Sequence, residues 1–279
     1  MNNSIYPCLW FDGQAKEAAA FYCSLFKNSR IVDDTDLVVT FVLSGQKLMG
    51  LNGGPQFKIN PAISFFVVCE TEEETNTLWN SLINEGSVLM PLDKYPWSDK
   101  YGWVQDKFGL SWQISMGKFE TVGQKITPSL MFVGLQHGKA EKAINFYTSV
   151  FPDSSVIGIL HYRPGENDPE GTVKHAQFSL SNFVMMAMDS AFPHGFSFNE
   201  SISFVVECKT QDEIDYYWHK LTEGGKESMC GWLKDQFGVS WQIIPEVLGE
   251  LMKDPARSEK VTKAFMQMKK FDIEKLLQA

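Results

Sequence analysis

The chain has 279 residues, and at roughly 150 residues per domain this length predicts two domains, each able to bury a hydrophobic core. Its composition, 44% hydrophobic and 21% charged, is typical of a soluble globular protein. A formal net charge of −9 argues against the extended basic surface that nucleic-acid-binding proteins present.

The cysteines and the first residues indicate a cellular compartment. No two of the 5 cysteines have CxxC spacing, so we expect reduced, mostly buried thiols. The first residues lack the basic segment and apolar run of a signal peptide, and no stretch approaches the ~20 apolar residues of a membrane helix. We therefore expect a cytoplasmic protein that binds neither nucleic acid nor membrane.

The hydrophobic pattern begins with a strand, a helix and two further strands. Alternating side chains predict a strand over residues 8–11, and apolar residues spaced three and four apart predict a helix over 14–26. Strands are then predicted over 37–43 and 47–51, separated by a glycine turn.

The same order of elements then recurs. A strand is predicted over 62–69, and a helix begins at Thr71, whose followers form an acidic first turn. Segment 88–100 is predicted to be a loop, and strands over 101–105 and 111–115 follow it. Such a succession favours helices on one face of an antiparallel-rich sheet, with the other face free to curl around a cavity.

The second half of the chain repeats the first. Three blocks recur in the same order: residues 60–69 as 199–208, residues 101–114 as 230–243, and Phe21-Tyr22 as Phe146-Tyr147. A period of this size indicates duplication of a whole domain. In both copies an aspartate, Asp106 or Asp235, is expected to stabilise the turn before the last strand.

The repeat sets the predicted domain organisation. The first copy spans residues 1–120, a linker spans 121–125, the second copy spans 126–245, and a helical extension spans 246–279. The apolar stripe of the extension is expected to dock on the two domains. A homodimer is the alternative to a monomer of two pseudo-repeated domains.

The repeated motifs resemble those of PhnB-like domains of the glyoxalase/bleomycin-resistance (vicinal oxygen chelate) superfamily. The resemblance rests on the opening run 6–11, on Gly53-Gly54-Pro55 after a strand, and on the run 106–114. It covers both copies, and many such domains carry the label 3-demethylubiquinone-9 3-methyltransferase. The fold it implies is α+β, with tandem glyoxalase-like domains, each of two βαβββ modules whose antiparallel-rich sheet curls around a cleft.

The founding enzymes of this superfamily hold a divalent metal that polarises the substrate. The ligand positions that the resemblance implies fall near Tyr6, Gly50, Ala62 or Ser64, and Gln113 in the first copy, and at Thr127, Ala187, Ser201 or Ser203, and Gln242 in the second. Each cleft thus retains one neutral amide, whereas zinc and nickel sites use imidazole, thiolate or carboxylate ligands. We expect no metal and no other cofactor.

The methyltransferase label conflicts with the local sequence. A nucleotide-type cofactor needs a glycine-rich turn that leads from a strand into a helix. Here Gly53-Gly54 is followed by Pro55 and then by another strand. We therefore expect that the chain does not transfer a methyl group from S-adenosylmethionine.

Strand alternation predicts which side chains bind a ligand in each cleft. In the first copy these are Tyr6, Cys8, Trp10, Thr40, Asn52, Ser64 and Gln113, with Trp97 as a lid. In the second copy they are Thr127, Met131, His175, Gln177, Asp189, Ser203 and Gln242. An apolar pocket with a few hydroxyls and amides suits a small organic ligand.

Three functions remain open at this point. The leading hypothesis is a metal-independent protein that binds a small organic molecule. The second is a glyoxalase-class lyase, isomerase or dioxygenase that uses a non-standard metal or the acid/base residues His175, Asp189 and Gln177. The third is a structural or interaction protein whose clefts are filled with side chains.

Overall fold

The computed structural model describes residues 5–279. Its strands are β1 (Ile5–Phe11), β2 (Arg30–Asp34), β3 (Val38–Leu43), β4 (Gln46–Asn52), β5 (Ile63–Cys69), β6 (Ser87–Tyr95), β7 (Ser98–Gln105), β8 (Ser111–Met116), β9 (Ile126–Val133), β10 (Ser155–His161), β11 (Val173–Leu180), β12 (Phe183–Ser190), β13 (Ile202–Cys208), β14 (Lys226–Glu227), β15 (Trp232–Lys234) and β16 (Ser240–Pro245). Its helices are α1 (Ala15–Leu25), α2 (Glu72–Ile83), α3 (Phe119–Val122), α4 (Ala140–Val150), α5 (Gln211–Thr222), α6 (Val247–Lys253), α7 (Ser258–Phe265) and α8 (Ile273–Gln278). None of these helices is both long enough and apolar enough to cross a bilayer.

The elements form βαβββ modules, two in each copy, as predicted. Each module is a strand, a helix and three further strands, beginning at β1, β5, β9 and β13. The predicted fold class is therefore confirmed. The segment 88–100 is not a loop, because it forms most of β6 and the start of β7.

The sheets combine modules from different copies. Sheet A has the strand order β14-β15-β16-β13-β1-β4-β3-β2, and sheet B has the order β10-β11-β12-β9-β5-β8-β7-β6. Two antiparallel pairs, β1 with β13 and β5 with β9, join the copies. The prediction that each cleft is lined by a single copy was wrong, because repeated modules offer equivalent edges and the sequence does not specify which edges meet.

Helices cover one face of each sheet. Helices α1 and α5 pack on sheet A, and α2 and α4 pack on sheet B. The helix-covered faces share one hydrophobic core, in which Tyr22 of α1 lies 5.3 Å from Trp112 of β8 and Tyr147 of α4 lies 5.4 Å from Trp241 of β16, between ring centroids. The two modules of one copy are thus joined through their helical sides.

The repeated aspartates stabilise the turns, as predicted. Asp235 Oδ1 accepts hydrogen bonds from the backbone N–H groups of Phe237 and Val239. Its Oδ2 accepts from Tyr147 Oη at 2.7 Å and from Trp241 Nε1 at 2.8 Å, which links α4 to β16. Burial raises the pKa of Asp235 to about 6, although these hydrogen bonds act in the opposite direction.

The C-terminal extension docks within the chain, as expected, and among residues 5–279 its backbone hydrogen bonds to the two copies are with the second copy alone. Phe271 and Leu276 are at most 2% exposed and belong to the common core. The backbone N–H of Cys230 donates to the carbonyl of Met268 at 2.7 Å, and Gly231 makes the equivalent bond one residue further on. The extension therefore adds both apolar and backbone contacts to the turn before β15.

Candidate functional site

The face of each sheet that points away from these helices is the candidate site. We call these faces concave face A and concave face B. Cys8 and Ser203 on face A, and Ser64 and Thr127 on face B, are at most 1% exposed although α1, α2, α4 and α5 lie on the opposite side. The sheets therefore curl over these side chains, and on face B the short helix α3 also packs on the sheet through Val122.

Most of the predicted ligand-binding residues lie on these faces, in groups that differ from the expected ones. Face A carries Tyr6, Cys8, Trp10, Thr40, Ser203 and Gln242. Face B carries Ser64, Gln113, Thr127, Met131, His175 and Gln177. Each face thus combines residues of both copies.

Asn52 and Asp189 lie on the helix-covered side, so their assignment to the clefts was wrong. Asn52 Oδ1 accepts a hydrogen bond from the Ala15 backbone N–H at 2.9 Å. Asp189 Oδ1 accepts from the Gly138 backbone N–H at 2.8 Å. Both side chains therefore satisfy free N–H groups at the start of α1 and α4. The residues before these helices, Gln and Lys, are poor caps, which was the signal in the sequence.

The same alternation corrects the implied metal positions. Gly50 faces α1, because a Cβ added there would lie 3.1 Å from the Ala15 Cβ. Ala187 likewise belongs to the helix-side core. The concave side chains of these strands are therefore Met49 and Met186.

The donors on the concave faces do not suit a divalent metal. Face A offers Gln242 and Ser203, which bond to each other at 2.9 Å, and the thiol of Cys8, whose pKa is raised to about 12 by burial. A thiol with that pKa stays protonated and binds zinc poorly. The Glu207 carboxylate on this face is already bonded to Tyr6 and Lys47. Within residues 5–279, no three His, Cys, Asp or Glu side chains are arranged so that they could hold an ion. The superfamily's metal centre does not fit these residues.

One row of side chains crosses four adjacent strands on face B. Trp103 pairs with Gln113, Gln113 pairs with Phe66, and Phe66 pairs with Thr127. At the two ends of this row, Trp103 Nε1 and Thr127 Oγ1 are buried and have no hydrogen-bond partner among residues 5–279, which is also true of Tyr22 Oη, Ser111 Oγ and Tyr217 Oη outside this row. Buried polar groups are nearly always paired, so each exception requires an explanation.

The glutamine inside the row on face B is fully engaged. Gln113 Nε2 donates to Ser64 Oγ at 2.8 Å, and Gln113 Oε1 accepts from Tyr101 Oη at 2.8 Å. Burial raises the pKa of Tyr101, so its hydroxyl stays protonated and can donate. This network fixes the centre of the row and leaves only its ends unpaired.

The equivalent row on face A has an occupied end. It consists of Trp232, Gln242, Val205 and Tyr6. Tyr6 Oη donates to the Glu207 carboxylate at 2.9 Å, and Lys47 Nζ lies 2.6 Å from the same carboxylate. The Lys47 ammonium also lies 4.1 Å from the centre of the Tyr6 ring.

Trp10 fills the other end of face A. Its ring lies 5.0 Å from Phe57 and 5.9 Å from Trp232, and its Nε1 donates to the Gly54 carbonyl at 2.7 Å. A Cβ at Gly53 would lie 2.1 Å from this indole, so the glycine is required for the packing. The position of Trp10 is taken on face B by the smaller Met131.

Trp97, the predicted lid, lies in the turn between β6 and β7. It is 59% exposed, stacks on Tyr95 at 5.0 Å and meets Tyr101 edge-on at 5.7 Å. Tyr101 and Trp103 are the functional candidates that the sequence analysis missed. Gly102 between them faces α2, since a Cβ there would lie 2.5 Å from Trp79.

The predicted His175, Gln177 and Asp189 pocket is not formed. His175 and Gln177 lie on face B, whereas Asp189 lies on the opposite side of sheet B. Gln177 Nε2 donates to the Val122 carbonyl at 3.0 Å. His175 keeps an exposed imidazole, and desolvation by the surrounding protein lowers its pKa.

Four βαβββ modules arranged in two mixed sheets define a tandem protein of the glyoxalase fold. Glyoxalase I from Zea mays is similar to 90% of this chain over 96% of its own length, with 11% identity and a TM-score of 0.56, which shows the fold alone. A PhnB protein from Bacillus cereus is 41% identical over 39% of this chain and 96% of its own, with a TM-score of 0.38. No curated protein matches the chain.

The family follows from a direct match to its model. The model described as 3-demethylubiquinone-9 3-methyltransferase matches residues 3–115 and again residues 124–244. The chain therefore belongs to this family, as two tandem copies, and the resemblance drawn from its motifs is confirmed.

Proposed function

We propose that the chain binds a small organic molecule on concave face B, without a metal. The observation that carries the proposal is the pair of buried, unpaired hydrogen-bonding groups, Trp103 Nε1 and Thr127 Oγ1, at the ends of one row. Leaving such a group unpaired costs roughly 1–3 kcal/mol. A ligand that accepts from the indole and bonds to the hydroxyl removes both penalties.

The chemistry of face B selects an uncharged ligand. The row itself contains no charged side chain, and Phe66 packs there with Val68 and Met186. A charged ligand would lose hydration without gaining a counter-ion on this surface. An apolar, partly aromatic molecule with one or two polar atoms matches the surface best.

Face A is filled with side chains, as the hypothesis of a structural or interaction protein expects, and we apply that hypothesis to face A alone. Trp10 and the Tyr6, Glu207 and Lys47 cluster occupy it with the chain's own side chains. We infer that one ligand binds per chain and that face A stabilises the fold.

Transfer of a methyl group from S-adenosylmethionine is not part of the proposal. Gly53-Gly54 follows β4 and leads toward β5, not into a helix. Gly53 has a packing role, because it makes room for the Trp10 indole. The family description is therefore a name for a fold and not, in this proposal, for a reaction.

An enzyme of the glyoxalase class is the second candidate, and His175 favours it. The imidazole is exposed on face B, and its lowered pKa leaves it neutral near pH 7, where it can accept a proton. If His175 is a base, His175→Gln will abolish turnover of the retained molecule while its binding persists. Equal turnover in both proteins would refute this role.

Native mass spectrometry of chain purified from its own cell tests the binding proposal. We expect a retained small molecule at one per chain, and retention at least about tenfold lower in Trp103→Phe and Thr127→Val, since each removes one hydrogen bond to the ligand. Trp232→Phe, the matched change on face A, should retain it fully. Retention by none of the proteins, or equal loss in the Trp232 variant, would contradict the proposal.

A further inference from the structure

Strand β10 leaves one edge of sheet B unpaired. The two sheets end in four edge strands, β14 and β2 in sheet A, and β10 and β6 in sheet B. An edge strand presents free N–H and C=O groups to any other strand, and proteins usually protect such edges with charges, proline or bulges. The four edges can therefore be compared by their sequences.

Three of these edges carry charged residues or proline, and β10 carries neither. The protecting residues are Arg30, Asp33 and Asp34 in β2, Pro91, Asp93 and Lys94 in β6, and Lys226 and Glu227 in β14. Strand β10 reads Ser-Val-Ile-Gly-Ile-Leu-His, with no aspartate, glutamate, lysine, arginine or proline. Its side chains of Val156, Ile157 and Leu160 are 43%, 54% and 50% exposed.

The duplication supplies an internal comparison, because β2 holds the same place in its module as β10. Each strand has an irregularity at the same point, after the residue that pairs with Phe41 or Phe178. The unpaired residue is Val32 in β2 and Ile157 in β10. The two residues that follow are Asp33-Asp34 in the first copy and Gly158-Ile159 in the second. The second copy thus has apolar residues where the first has two carboxylates.

Nothing inside the chain requires the glycine of β10. Gly158 does not have a positive φ, and a Cβ added to it would meet no atom within 4 Å. A glycine inside a strand commonly marks a bulge or a close approach of another backbone, and Gly158 follows the bulge at Ile157. The open space beside Gly158 leaves room for a second backbone to approach this edge.

We propose that two copies of this chain pair through β10, antiparallel, about a two-fold axis at Gly158. Gly158 has two apolar residues on each side in β10, Val156 and Ile157 before it and Ile159 and Leu160 after it. In this register Val156 lies opposite Leu160, and Ile157 lies opposite Ile159, so apolar side chains meet apolar side chains. Such self-complementarity is what an isologous interface requires. The pairing is independent of ligand binding on face B.

Sedimentation velocity on a matched pair of variants tests this proposal. Ile157→Lys and Val32→Lys place the same charge at equivalent irregular positions that are 54% and 55% exposed. We expect wild-type dimers, a dissociation constant at least about tenfold higher for Ile157→Lys, and no change for Val32→Lys. In the dimer each new lysine would lie opposite the apolar Ile159 and diagonal to the like charge of the second lysine. Circular dichroism checks that both variants fold.

Hydrogen exchange gives a second readout. Amides of residues 155–161 should become more protected as the protein concentration rises, whereas those of residues 30–34 should not change. Gly158→Asp with Ile159→Asp, which copies the first domain's residues, should give monomers. A wild-type chain that stays monomeric at every concentration, including one whose β10 instead pairs with a strand of another protein, overturns the proposal. Equal effects of the two lysine variants would also overturn it.

Discussion

Individual side chains decide which concave face is available to a ligand. The two faces share a central glutamine bonded to a serine, Gln113 with Ser64 and Gln242 with Ser203. They differ where Trp10 is replaced by Met131. Strand alternation predicted Tyr6 and Gln242 in one row and Gln113 and Thr127 in the other, but it missed Trp103. Strand alternation could not predict whether each polar group has a hydrogen-bond partner, because hydrogen bonding depends on neighbours that lie far away in the sequence.

The buried Asp235 gives a pH-dependent term in stability. Burial raises its pKa to about 6 in the folded protein, from an ordinary value near 3.8. The folded state therefore binds this proton more tightly than the unfolded state. The resulting stabilisation is complete below about pH 4 and is lost as the pH rises through about 6.

Urea unfolding of wild type and Asp235→Asn between pH 4 and 7 measures this term. The free energy of unfolding of wild type, relative to the variant, should fall by up to about 3 kcal/mol over that range. The exposed Asp93→Asn change should leave the wild-type pH profile unaltered. Parallel profiles for wild type and Asp235→Asn would show that the carboxyl does not titrate in this window.

Among the elements, those with a clear period were predicted and those without one were missed. Helix α2 was predicted from Thr71, whose Oγ1 accepts the Glu74 backbone N–H at 3.1 Å. Strand β2 was not predicted, because its charged edge residues do not alternate with apolar ones. Strand β6 was not predicted, because Pro91 and several register shifts interrupt it. Edge strands are thus the elements that the sequence pattern marks least.

The C-terminal extension is an integral part of the second copy. Phe271 is 2% exposed, and its ring lies so close to Gly231 that a Cβ there would come within 2.6 Å. We expect Phe271→Ala to lower the free energy of unfolding by about 3–5 kcal/mol. Leu277→Ala in α8, at a side chain that is 50% exposed, should change it by less than about 1 kcal/mol. Chemical denaturation of both variants distinguishes a docked extension from a loosely attached one, for which the two values would be alike.

At the scale of the whole molecule, the two copies are mutually dependent. Each sheet is completed by a strand pair between copies, β1 with β13 and β5 with β9. The repeat was evident from the sequence, yet the pairing was not, because identical blocks carry no information about which of them meet. The consequence is that neither copy contains a whole concave face.

Cleaving the connection between the copies tests this dependence. Gly117 and Lys118 are exposed and lie between β8 and α3, so a protease site inserted between them should be tolerated. After cleavage the two fragments should elute together in native buffer, because both sheets still need strands from each fragment. They should separate only in denaturant. The denaturant midpoint of the cleaved protein should depend on protein concentration, because the fragments are no longer held at the high effective concentration of the joined chain. Two fragments that separate in native buffer as folded monomers would mean that each copy completes its own sheet.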